Sequence, residues 1–144
     1  TMETGNKKRI LAIDDAPDIL NTIKMLLEDS YVVYTVSTPQ GALQILDKLE
    51  VDLILLDIEM PDMDGFILLK TIRKMEKYAG VPVIFVTGNA NVNNIMEAVN
   101  SGGIDFIRKP LNAALLRERI EKQLGLVAPF DQNSGAVPEG PASF

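Results

Sequence analysis

Five residues of this chain carry reactive or charged groups and stand where short apolar runs end. Asp14 and Asp15 follow RILAI, Asp57 follows LILL, Thr87 follows VPVIFV, and Lys109 lies just beyond IDFI. Carboxylates brought together repel and raise one another's pKa unless positive charge neutralises them. Lys109 offers one such charge on a flexible stem. A hard divalent cation offers more, and magnesium characteristically takes a few carboxylates together with water and phosphate oxygens. Cation, lysine and threonine hydroxyl around one carboxylate make an electrostatic cradle for a phosphoryl group. In that cradle Asp57 is the candidate nucleophile, attacking phosphorus to give an acyl phosphate.

These residues converge only if the elements before them lie side by side. Five apolar segments recur, at 9–13, 31–36, 52–56, 81–86 and 104–107. Between them run stretches with helical spacing. Ile19, Leu20, Ile23, Leu26 and Leu27 make one apolar stripe, Ala42, Ile45, Leu46 and Leu49 a second, and Phe66, Leu69 and Ile72 a third. Thr38 before Pro39 reads as a helix cap followed by proline in the first turn, and Asp64 and Asn112 are further caps. Gly102-Gly103 supplies a stop, and the last helix is expected from about Asn112 to Leu124.

Alternation of strand and helix five times over implies an α/β fold: a doubly wound, five-stranded parallel sheet with helices on both faces. A closed eight-unit barrel needs far more chain than 144 residues. Ligands of open α/β sheets sit beyond the carboxyl ends of the strands, where the winding reverses. In the strand order 2-1-3-4-5, strands 1 and 3 are neighbours and the three aspartates meet at one mouth. The expected domain covers residues 7–125. The remainder, 126–144, is rich in proline and glycine without periodicity and reads as a flexible linker or tail.

Composition narrows the function classes. A net charge of −6 argues against wrapping nucleic-acid phosphates. With no cysteine and no histidine, thiol catalysis, zinc-thiolate sites, a Ser-His-Asp triad and a phosphohistidine on these residues are excluded. No apolar run approaches the ~20 residues of a membrane span, and the opening TMETGNKKR lacks the apolar core of a signal peptide. The expected location is the cytoplasm, without membrane attachment.

Taken together, Asp14-Asp15, Asp57, Thr87 and Lys109-Pro110 resemble the receiver domain of two-component response regulators. LLDIEMPDMDG resembles that family's phosphorylation loop, and GGIDFIRKPL its strand-5 signature. The resemblance implies Asp57 as phosphoacceptor, with Asp15, Asp57 and the backbone carbonyl of Glu59 as Mg²⁺ ligands and Asp14 acting through water. It implies phosphoryl contacts from Thr87 and Lys109, a cis bond before Pro110, and a switch formed by Thr87 and Phe106. Phe106 departs from the tyrosine often found there and has no hydroxyl. The implied donor is a histidine kinase or histidine phosphotransfer protein. The implied output runs through the face of the fourth helix, fifth strand and fifth helix, about residues 91–124, toward a protein partner or effector domain, with a dimer as one form of the activated state.

Each residue has a plainer reading when taken alone. Asp15 serves equally well as a helix cap, Thr87 as a strand-end hydroxyl and Lys109 as a surface lysine. Pro61 and Gly65 suit any tight loop, and the charges of MEKY and RERIEK read as solvated helix faces. Two other functions compete. A magnesium-dependent phosphatase with an aspartyl nucleophile would want a D-x-D pair after the first strand, where this chain has DDAP. A flavin protein would want a Ser/Thr/Gly-rich phosphate loop there, and DDAPD would repel the flavin phosphate.

Overall fold

The computed structural model describes residues 7–88, 91, 93, 96–97, 100 and 105–126. Five parallel strands form one sheet: β1 (Arg9–Ile13), β2 (Val32–Val36), β3 (Leu53–Leu56), β4 (Val83–Thr87) and β5 (Asp105–Arg108), in the order β2-β1-β3-β4-β5. Helices α1 (Pro17–Leu27), α2 (Pro39–Lys48) and α3 (Gly65–Arg73) alternate with the strands. A 3₁₀ turn at Glu76–Tyr78 precedes β4, and α4 (Ala113–Gln123) follows β5. Asn93, Met96, Glu97 and Asn100, between β4 and β5, are helical and exposed. The expected stop at Gly102-Gly103, much of the expected output face and the expected tail lie outside the described residues.

The central strands β1, β3 and β4 are buried on both faces, since side chains alternate along each one and helices cover both, whereas the edge strands β2 and β5 are only partly buried. Leu11, Ile13, Ile54, Leu56, Val83 and Phe85 point to one face, where Ala42 and Leu46 of α2, and Phe66, Leu69 and Ile72 of α3, cover them. Ile10, Ala12, Leu53, Leu55, Ile84, Val86 and Ile107 point to the other, beneath Leu20, Ile23 and Leu27 of α1 and Leu116 and Ile120 of α4. Each fully buried side chain of this size contributes about 1.5–3 kcal/mol.

The helices begin where polar side chains satisfy free backbone N–H groups. Thr38 Oγ1 accepts from Gly41 N at 3.0 Å, Asp64 Oδ1 from Phe66 N at 2.6 Å, and Asn112 Oδ1 from Leu115 N at 2.9 Å. At α1 the cap position is Ala16, with no side-chain bond to the helix. Asp15 therefore does not cap α1.

The charged residues of MEKY and RERIEK are exposed as solvated helix faces are, apart from half-buried Arg119, but the same segments also make specific ties. Tyr78 is 1% exposed, and its hydroxyl donates to the carbonyls of Leu46 and Leu49 at the end of α2. Lys77 Nζ reaches Asp47 O at 3.3 Å and Leu49 O at 3.4 Å. In the last helix, Arg117 donates to Leu26 O at 2.8 Å, and Arg119 pairs with Asp105. These side chains tie separate elements together, so their polar ends answer carbonyls and a carboxylate as well as water.

Candidate functional site

The β1–β3 pairing, Ile13 against Leu56, brings the ends of both strands to one edge of the sheet. Asp57 N continues the ladder onto Ile13 O at 3.0 Å, and Asp14 N bonds Val36 O at 3.2 Å. The register thus carries the two aspartates just past the sheet as neighbours. Oxygens of Asp14, Asp15 and Asp57 lie within 4.8 Å of one another. Asp14 is 2% and Asp57 4% exposed, whereas Asp15 faces solvent.

Lys109 reaches this group from the end of β5. Its Nζ lies 2.8 Å from Asp14 Oδ2 and 3.8 Å from Asp57 Oδ2. The Lys109-Pro110 peptide bond is cis. Lys109 N donates to Thr87 O at 2.9 Å, joining the two strand ends, and Thr87 is buried at 1% exposure. Asp14 Oδ1 also accepts Ala16 N at 2.9 Å, which fixes that carboxylate from the α1 side. Glu59 N approaches Asp57 Oδ1 at 3.4 Å, a long and weak contact.

Burial pushes the Asp57 carboxyl up to about 6, and the nearby Asp14 charge adds to that. Lys109 and the Glu59 amide oppose the rise, and Asp15 adds a smaller increment. At neutral pH the group is still largely ionised, so it can act as a nucleophile while remaining more basic than an ordinary aspartate. The excess of negative charge over the single lysine, and the all-oxygen donor set, suit a hard divalent cation. An open depression of about 510 Å³ beside the carboxylates is lined by Asp15, Ile58, Glu59, Met60, Pro61 and Asp64.

Of the residues expected at the site, Asp14, Asp15, Asp57 and Lys109 are thus brought together, Thr87 is joined to Lys109 through its backbone, and Glu59 lies in the loop directly after Asp57. Phe106 lies one layer back. Register pairs it with Phe85, two residues before Thr87 and so on the same face of the sheet. Phe106 is half-buried with its ring 6.4 Å from that of Phe85, which in turn is 5.1 Å from Phe66 at the start of α3.

Residues 10–121 match the family model described as the response regulator receiver domain. The chain belongs to the response regulator receiver family. This receiver is 36% identical over 116 residues to chemotaxis protein CheY-3 of Vibrio cholerae, covering 79% of this chain and 89% of that protein. It is 32% identical over 124 residues to a probable cyclic di-GMP phosphodiesterase of the same species, covering 86% of this chain and 28% of that protein. The chain thus spans little more than a quarter of that relative's length. A CheY-like receiver domain from Methanospirillum hungatei superposes with a TM-score of 0.77 at 36% identity, covering 83% of this chain and 94% of that one. The family is regulatory, and the receiver fold matches the sheet order read from the sequence.

The residue that closes LLDIEMPDMDG makes a contact that the motif alone did not explain. Gly65, read from sequence as an ordinary loop glycine, packs directly on the backbone of Asp57. Only the spatial contact shows why a side chain is missing there.

Proposed function

We propose that this receiver accepts a phosphoryl group on Asp57 from a phosphohistidine of a partner kinase or phosphotransfer protein in the cytoplasm. The observation that carries the reading is the meeting of Asp57, Asp14, Asp15 and Lys109 Nζ at one strand mouth. An Asp57 oxygen attacks phosphorus, the P–N bond to the donor imidazole breaks, and the nitrogen leaves with a proton from solvent. The products are an aspartyl phosphate here and a neutral histidine on the partner. Lys109, already 3.8 Å from the acceptor oxygen, pairs with a phosphoryl oxygen added there. The Thr87 hydroxyl donates to another.

Asp14, Asp15, Asp57 and the backbone carbonyl of Glu59 are the groups that would hold Mg²⁺. When bound, the ion supplies the charge neutralisation that lets an anionic donor approach three carboxylates. The added phosphoryl charge then biases Thr87 and Phe106 toward the interior and reshapes the β5–α4 face for a protein partner or effector domain.

The test is labelling with a small phosphodonor or beryllofluoride in the presence of Mg²⁺. Wild type should be modified at Asp57, Asp57→Asn should not be, and Asp15→Ala should lose Mg²⁺ affinity while keeping its helices. Equal labelling of Asp57→Asn would sink the assignment. Sustained turnover of a generic phosphoester would favour the phosphatase reading instead.

A further inference from the structure

The first turn of α3 lies against the loop that carries the acceptor. Gly65 N donates to Ile58 O at 2.6 Å. A Cβ placed on Gly65 would stand 2.3 Å from Asp57 O, 2.8 Å from Ile58 Cα and 3.1 Å from the Asp57 carbonyl carbon. All three are backbone atoms, so no change of rotamer could relieve the overlap. Neither side of the contact has slack. The loop is anchored by buried Ile58 and Met60, and α3 by Phe66, whose ring lies 5.1 Å from Phe85 within the same cluster. Asp57 itself is tied to β1 through its amide. A side chain at position 65 must therefore displace the segment from Asp57 to Glu59, or tilt the start of α3 away from it.

We propose that Gly65 is a positioning residue for the phosphoryl and cation chemistry. Its bare Cα lets α3 seat on the Asp57 carbonyl, and this seating sets where the Asp57 carboxylate and the Glu59 carbonyl point. The inference rests on Asp57 being the acceptor, and its main test does not require phosphoryl transfer. Small displacements of groups that orient metal ligands commonly weaken affinity by about 10–100-fold.

The experiment compares wild type, Gly65→Ala and Gly80→Ala by Mg²⁺ titration, followed through amide signals of Asp15, Asp57 and Glu59. A Cβ at Gly80 meets nothing within 4 Å, so that variant controls for adding a methyl group. Gly65→Ala should bind Mg²⁺ about tenfold or more weakly and be labelled correspondingly slowly, with its far-UV spectrum kept. Gly80→Ala should match wild type in both. A Gly65→Ala protein that melts lower yet binds Mg²⁺ like wild type overturns the proposal, because the contact would then serve stability alone. Should Gly65→Ala not fold, the wild-type Gly65 amide decides. It should shift along the same Mg²⁺ saturation curve as Asp57, and an unmoved Gly65 amide overturns the proposal. Loss of Asp57 labelling in wild type, with the Mg²⁺ comparison intact, would strike the functional reading and leave the positioning role standing.

Discussion

Neutralising Asp57 should stabilise the folded protein. The carboxyl is 4% exposed, and burial followed by the Asp14 charge raises it from the ordinary 3.8 to about 6. Between about pH 4 and 6 the folded chain therefore holds a proton that the unfolded chain has released, so stability falls through this window as pH rises. Above pH ~7 both states are ionised and the full cost persists; below pH ~4 both are protonated and it vanishes. Two pH units at 1.36 kcal/mol each give about 3 kcal/mol. Solvent at the open mouth screens part of this, and the carboxamide introduced at the site must find partners, so Asp57→Asn should gain about 1–3 kcal/mol at pH 7.5. For a domain of this size that corresponds to a rise of roughly 3–10 °C in Tm. Thermal melts of both proteins from pH 4 to 8, without divalent cations, measure the gap directly. The gap should open with rising pH, and Mg²⁺ should narrow it by stabilising wild type. An Asp57→Asn protein that melts at or below wild type at pH 7.5, or a gap independent of pH, would refute this account of the site.

Two further outcomes follow from side chains around the sheet. Tyr78→Phe removes the hydroxyl that serves Leu46 O and Leu49 O, and should cost about 1–2 kcal/mol in chemical denaturation without altering Mg²⁺ affinity. Phe106 needs no hydrogen-bond partner, so its ring should occupy the inward position part of the time before activation; ring-proton NMR should show that population growing with beryllofluoride, and an unchanged ring environment would exclude this residue from the output.

Much of the fold was legible because two periodicities and three caps agree. LILL is buried on both faces, as an unbroken apolar run implies, and Thr38, Asp64 and Asn112 cap the helices they precede. Convergence of Asp14, Asp57 and Lys109 then follows from strand order, since each directly succeeds a strand or its last residues. Illegible were the contacts made by single side chains across long separations. Nothing near Tyr78 reveals carbonyls 29 and 32 residues earlier in the chain, and its neighbours Glu76 and Lys77 are exposed as a solvated face would be. Gly65 sits among residues that suit any turn, so the steric demand of the Asp57 carbonyl has no local sign. Arg73 likewise reads as one more basic residue on α3, yet it donates to Tyr78 O at 2.9 Å and Val81 O at 2.6 Å.

The ties made by Arg73, Lys77 and Tyr78 all lie at the edge of the sheet opposite the aspartates. There too Asp52 accepts Arg9 N at 2.8 Å and donates its own amide to Arg9 O at 2.7 Å. Side chains thus tie the layers at this margin, while the opposite margin is joined by the backbone bonds Asp57–Ile13, Asp14–Val36 and Lys109–Thr87 and by the Lys109–Asp14 ion pair. Strands held at both ends resist sliding past one another. A change of charge at Asp57 would then be felt first by Lys109, whose Nζ lies 3.8 Å away and whose amide bonds the end of β4. One residue thus carries both a charge to the carboxylates and a backbone clasp to the neighbouring strand, so the acceptor and the end of β4 share a single attachment at Lys109.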